Sequence, residues 1–241
     1  MEIEHQEKEE WLKIRKKLNQ QYVYDANWEY GIGIFRKRLH RKFFNPIQLI
    51  IDQNEIKGEG FTIVTVQCSL IEMFAAFKAG KIFNHSKNAA SPKYEYKHSL
   101  KMFTSLLNEN AIFENHFWEV DKNGSKNIDS PFNASDFYKN VRCGLVHEAR
   151  TKGHWFINAV KLSGKASVKT EKIFLKKDSR GNIKIFRTIL HYRLLILFDQ
   201  YCNDLKAQNA AGEKYRRYFA RKMDHLFDIQ TDTSYEWWID R

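Results

Sequence analysis

The stretch FYKNVRCGLVHEART, Phe137 to Thr151, decides how the rest of the chain is read. Phe137, Val141 and Leu145 recur at four-residue steps, the spacing of one buried helix face. Asn133 or Ser135 can cap that helix, with Asp136 in its first turn. Thr151-Lys152-Gly153 is its expected end. Arg142 and His147 fall at the margins of the buried face or beyond it. An ideal helix separates them by about 140° around its axis and about 7.5 Å along it. A long arginine can still swing toward the histidine across the intervening turn, where Gly144 carries no side chain to obstruct it.

The neighbouring segments read as further helices. Ile63, Val66, Leu70, Met73, Phe74 and Phe77 recur at helical steps over 61–79, and Gly80 is a plausible stop. Leu100, Phe103, Leu106 and Leu107 repeat the pattern over 94–109. A long helix from Thr188 carries Leu190, Leu194, Leu197, Tyr201 and Leu205 on one side and Ile189 and Ile196 on another. Apolar residues on two faces predict a central helix or one at a subunit contact. Near the N-terminus, Trp11, Leu12, Ile14 and Leu18 form a narrow docking stripe on a solvated helix over 1–20. Pro46 is expected to break whatever precedes it, and Gly212 to separate the long helix from a basic segment over 214–222. The polar, turn-rich run 119–133 predicts an exposed loop.

Between these helices the period changes. His154–Val160, Lys172–Lys176 and Ile183–Phe186 read as strands, with the turn cluster Asp178-Ser-Arg-Gly-Asn182 between the last two. The fold class is therefore mainly α, a helical bundle with a small β-hairpin insertion at about 154–187. We divide the chain into a helical, basic extension over 1–60 that packs on a core domain over 61–241.

Composition narrows the function classes. The chain has 241 residues, 43% apolar and 15% aromatic, which is globular rather than disordered. A formal charge of +11 implies an anionic partner: nucleic acid, an acidic protein or a membrane surface. Basic clusters with interleaved aromatics at 35–42 and 214–222 suit phosphate contacts plus base stacking, or solvated outer faces of aromatic-cored helices. Three scattered cysteines, Cys68, Cys143 and Cys202, argue against a disulfide framework and for a reducing compartment. The charged N-terminus does not read as a secretory signal, and no stretch reaches the roughly 18 uncharged apolar residues of a membrane span. The chain is read as cytoplasmic, with no membrane partner. His85, His98, His116, His147 and His154 have no mutual zinc-ligand spacing, so no metal and no other cofactor is expected. Gly58-Glu-Gly60 lacks the Lys and Ser/Thr of a phosphate loop.

The Arg142-Cys-Gly-Leu-Val-His147 element, set on an amphipathic helix in a basic, helical chain, resembles the HEPN superfamily of helical-bundle ribonucleases and nucleotide-binding proteins. That family's signature is an Arg followed four to six residues later by a His. The likeness covers about residues 134–153, and Cys143 stands where the family often has a polar residue, typically Asn. The resemblance implies a metal-independent endoribonuclease, with Arg142 and His147 as the catalytic pair. It implies a homodimer that brings two pairs into one cleft, RNA as substrate, and a place in toxin–antitoxin or antiviral defence with an antitoxin or regulatory partner. The runner-up is a non-catalytic HEPN-like module that binds nucleic acid or protein.

The chemistry can be argued from the residues themselves. RNA is cleaved without metal when its 2′-hydroxyl attacks the adjacent phosphate. A neutral imidazole can accept that proton, and a guanidinium can hold the phosphate as charge builds on its oxygens. The competing readings are plain. A helix histidine is often a packing or capping residue. Arg142 can pair with a carboxylate such as Glu148 or Asp136. Glu148 and Arg150 either support the histidine and the substrate or form an ordinary surface ion pair. Cys143 has no fixed base beside it and reads as a small buried residue rather than a nucleophile.

Overall fold

A computed structural model describes residues 2–18, 22–53, 58–84, 94–113, 116–117, 119–120, 123, 125–127, 132–159 and 171–229. The chain is mainly helical with a few small strands. Its helices are α1 (Glu2–Arg15), α2 (Ala26–Leu39), α3 (Asn45–Gln53), α4 (Glu59–Ala79), α5 (Ser99–Glu109), α6 (Ala134–Phe137), α7 (Cys143–Glu148), α8 (Arg187–Lys206) and α9 (Ala210–Leu226). Contacts group the chain into two compact units, each built from separated segments. The first takes 1–42, 76–97 and 198–241, and the second takes 43–75 and 98–197.

In the first unit an aromatic cluster forms the core. Phe35 lies 4.5 Å from Phe77, 5.8 Å from Phe198 and 5.5 Å from Phe219, and Trp11 meets Phe219 edge-on at 5.9 Å. The expected stripe is buried at Trp11 and Ile14 of α1 and at Leu18 just beyond its end. Sequence pattern did not reveal that two charges of α1 are buried with it. Arg15 grips Asp224 of α9 through its Nε at 2.8 and 2.9 Å, and Trp11 Nε1 donates to the same carboxylate at 2.9 Å. Glu7 accepts from Arg38 at 2.6 Å and from Arg41 at 2.7 Å.

Pro46 does not end the helical path. A π-helical turn, His40–Phe44, precedes α3, and Pro46 sits in that helix's first turn. Proline lacks an N–H and its ring crowds the carbonyl four residues back. A widened turn just before it is one way for the chain to remain helical through that position. Gly80 does stop α4: its φ is +60, and a Cβ there would stand 2.5 Å from the Tyr218 ring. Gly212 is no separator, because it lies in the first turn of α9 behind the Asn209 cap.

In the second unit Phe137 is central. It stacks on Phe103 at 5.9 Å and meets Phe117 and Trp155 edge-on at 5.6 and 5.4 Å. Trp155 begins β5 (Trp155–Asn158), which pairs in parallel with β7 (Ile183–Phe186). The strand β6 (Leu175–Lys177) pairs antiparallel with the other edge of β7. Asp178–Asn182 makes the hairpin turn, with Asp178 Oδ1 accepting from the backbone of Arg180 and Asn182 at 3.0 Å each. The predicted strand segment is thus a three-stranded sheet, and Ile183 and Ile185 are its buried residues on β7.

Much of the predicted loop 119–133 lies outside the described residues, as do His85 and 160–170. The described part pairs Glu119–Val120 with Lys126–Asn127 as a short antiparallel ladder. Another short pair joins Ile82–Phe83 to Glu95–Tyr96 in parallel. Helix α4 is long and apolar enough by composition to cross a membrane, with 56% of its apolar window buried inside the fold. Helix α8 has the enclosed apolar line its spacing predicts: Leu190, Leu194, Leu197, Tyr201 and Leu205 are buried.

Candidate functional site

The candidate residues lie along one helical segment that runs from Ala134 to Glu148. Asn133 starts it as expected: its side-chain oxygen accepts from Asp136 N at 2.7 Å, and its Nδ2 donates to Asp136 at 3.1 Å. Phe137, Val141 and Leu145 form the buried face. Within the segment the turn Tyr138–Arg142 is π-helical, closed by the N–H of Cys143 on the carbonyl of Tyr138. Single π turns inside α-helices recur at functional sites, and this one ends on Arg142.

The helix stops earlier than its sequence suggests. Ala149 adopts the left-handed conformation, φ 52, and the chain reverses there. Arg150 N then donates to Gly144 O at 3.2 Å, and Lys152 N to Asn140 O at 2.8 Å. This reversal explains Gly144. A Cβ on it would stand 2.4 Å from the carbonyl oxygen of Arg150. The missing side chain makes room for backbone, and is not a passage for Arg142.

Arg142 is engaged by Glu72 and Tyr138, not by His147. Its Nη2 donates to Glu72 of α4 at 3.3 Å, and its guanidinium lies 5.4 Å from the centre of the Tyr138 ring. Its side chain is 23% exposed. Burial opposes its charge, but Tyr138, Glu72 and Cys143 together outweigh that and raise its pKa. Burial likewise raises the Tyr138 hydroxyl, against the pull of Arg142. The thiol of Cys68, enclosed on α4, is pushed up by burial, with Arg142 acting in the opposite sense.

His147 lies in the last turn of α7, exposed, between exposed Val146 and Glu148. No hydrogen bond joins it to Arg142. The ideal-helix angle of about 140° between them therefore persists as two different outlooks: the guanidinium toward α4, the imidazole toward solvent. Glu148 does not engage the histidine. It pairs with Arg150 at 3.2 Å and with Lys152, and Lys152 first, then Arg150, holds its carboxyl below the usual range. The surface ion-pair reading describes Glu148 and Arg150.

The two basic segments are also largely committed within the chain. In 35–42, Arg36 pairs with Asp199 at 3.0 Å, Arg38 and Arg41 with Glu7, and Lys42 with Glu4. In 214–222, buried Arg216 donates to the carbonyls of Tyr22, Leu205 and Ala207, the last two at 2.7 and 2.8 Å. Buried Arg221 donates to Gly80 O at 2.7 Å and covers the Tyr94 ring at 3.8 Å. All three cysteines are free thiols. Among the described residues no group of three His, Cys, Asp or Glu side chains is arranged to hold a metal ion.

No family model matches this chain, and neither a curated protein nor a solved structure matches it.

Proposed function

We propose that this chain is a metal-independent endoribonuclease of the HEPN type, with Arg142 and His147 as its reacting pair. The observation that carries the reading is the state of His147. Its imidazole is solvent-exposed, forms no hydrogen bond among the described residues, and follows Arg142 by five residues on one helical segment. A neutral imidazole so placed accepts the proton of a ribose 2′-hydroxyl. The O2′–phosphorus bond forms and the phosphorus–O5′ bond breaks, leaving a 2′,3′-cyclic phosphate. The departing O5′ takes up a proton and becomes a 5′-hydroxyl. Arg142 binds a phosphate oxygen and offsets its growing charge. Because the two side chains of one protomer diverge, the reading includes a homodimer in which one copy's His147 serves beside the other's Arg142. A cytoplasmic role as a toxin or defence effector, held in check by an antitoxin or regulatory protein, belongs to the same proposal.

One observation favours a second reading. The Arg142–Glu72 ion pair ties two helices together, which is what an arginine retained for structure does. A non-catalytic module that binds nucleic acid or protein would keep it.

The test is incubation of purified protein with RNA in EDTA, with His147→Ala and Arg142→Ala alongside. Loss of general-base catalysis costs about 10²–10⁴-fold, so cleavage by His147→Ala should fall by that much, with cyclic-phosphate ends in the wild-type products. Cleavage by His147→Ala at the wild-type rate overturns the enzyme reading. Salt-sensitive RNA binding without cleavage favours the binding module, and no RNA binding at low salt favours docking on a protein.

A further inference from the structure

A cleft of about 650 Å³ opens between α5 and the start of the site helix. It is lined by His98, Lys101 and Asn108 on one side and by Ser135, Asp136 and Lys139 on the other, with Leu100 and Ala134 as apolar surface. We propose that this cleft is a subsite for one nucleotide of a single-stranded RNA.

Charge is the first argument. Most arginines of the described chain are paired or buried, whereas Lys101 and Lys139, like other surface lysines, are exposed and make no ion pair among the described residues. Asp136, the carboxylate of the cleft, is already held by Asn133. Two ammonium groups on opposite walls against that one carboxylate leave the cleft with a net positive balance. That arrangement suits successive phosphates of one strand.

The second argument is Asn108. It lines the cleft, and its buried Oδ1 has no hydrogen-bond partner among the described residues. A buried acceptor without a donor is costly, and turning the Asn108 amide toward a ligand donor in the cleft would relieve it. The exocyclic amine of adenine or cytosine is such a donor, and exposed Leu100 offers apolar contact for a base face. His98 occupies the cap position of α5 without making a cap hydrogen bond, so its ring is free to meet sugar or phosphate. The volume falls in the range of small-ligand sites. Position supplies the third argument. Lys139 lies about one helical turn before Arg142, so a strand held here continues toward the proposed reacting pair.

The inference rests on the nucleic-acid reading above, and its test keeps the two apart. Affinity for short unstructured RNA is measured by fluorescence anisotropy in the His147→Ala background, where the RNA stays intact. Lys101→Ala/Lys139→Ala should bind about tenfold more weakly at low salt. The slope of log K against log salt should fall by about 1.4, the value for two lost single-strand phosphate contacts. Asn108→Leu should weaken binding of oligoadenylate and oligocytidylate several-fold and leave oligouridylate unchanged, since uracil has no exocyclic amine. Lys176→Ala/Arg180→Ala, two exposed cations of the β6–β7 hairpin, is the control for general charge. Unchanged affinity and slope in the cleft variants, an equal loss in the control, or preference for an acidic peptide over RNA overturns the subsite. If wild type cleaves RNA while the cleft variants bind normally, the subsite fails and the nuclease stands. If nothing cleaves but the lysine and Asn108 effects appear, the subsite stands and the nuclease fails.

Discussion

Asp224 carries more of the fold than any sequence pattern suggests. It is a buried carboxylate that receives Arg15 twice and Trp11 once, and both donors belong to α1. Removing one member of a buried ion pair strands the other charge away from water, at a cost of about 3–5 kcal/mol. Asp224→Ala is therefore expected to lower the unfolding free energy by that amount in urea titrations, and a loss below about 1 kcal/mol would contradict the described contact. Lys222, two residues away, acts in the opposite sense. Its ammonium lies 5.3 Å from the centre of the Phe77 ring, and burial pushes its pKa from 10.5 down to about 8. Between those values the unfolded chain holds the proton and the folded chain has released it. Stability from this residue therefore rises as pH climbs from about 8 to about 10.5, and the desolvation cost is fully present below about 8. Lys222→Met should remove that slope and gain about 1 kcal/mol near neutral pH, after allowance for the solvated end of the side chain. Melts of both proteins at about pH 7 and about pH 9.5 check it, since the gap between them should shrink at the higher value.

At the scale of the element, the terminus of α7 concentrates the strain. Ala149 is held left-handed, a conformation that costs a residue with a Cβ about 1 kcal/mol relative to glycine. Ala149→Gly should raise the melting temperature by a few degrees and leave the helix end in place. Gly144→Ala should do the reverse, since its new methyl would meet the Arg150 carbonyl. The reversal that presents His147 would have to open, and the cleavage proposed for the wild type would be lost together with stability. This terminus also marks where sequence reasoning stopped. Phe137, Val141 and Leu145 announced the helix, and Asn133 its cap, because apolar period and capping chemistry are local. The π turn, the early stop and the partner of Arg142 were illegible for a common reason. Each depends on a group remote in sequence or on a backbone path: Glu72 from α4, the carbonyl of Asn140 offered to Lys152, the carbonyl of Arg150 against Gly144. Alternation in 154–158 and 183–186 likewise foretold strands, but the parallel pairing of β5 with β7 joins segments remote in sequence, which no local pattern encodes.

Across the whole molecule, the charge of +11 overstates what is offered to an anionic partner. The 35–42 segment looks like a phosphate-binding face until α1 is added, and then Glu4 and Glu7 occupy Arg38, Arg41 and Lys42. Lys42 in turn draws the Glu4 carboxyl below its ordinary range. The acidic N-terminal helix thus masks a basic one, and net charge alone cannot separate masked cations from available ones. Glu4→Gln/Glu7→Gln releases the three cations without removing the α1 residues that anchor it to Asp224. Nonspecific RNA affinity at low salt should rise, and each newly engaged phosphate should steepen the salt dependence by about 0.7. Cleavage per bound RNA should not rise, because the released cations stand apart in sequence from Arg142 and His147. An unchanged salt slope in the double variant would mean that these cations find no phosphate even when uncovered. RNA recognition would then have to be sought in the second unit, at Lys101 and Lys139.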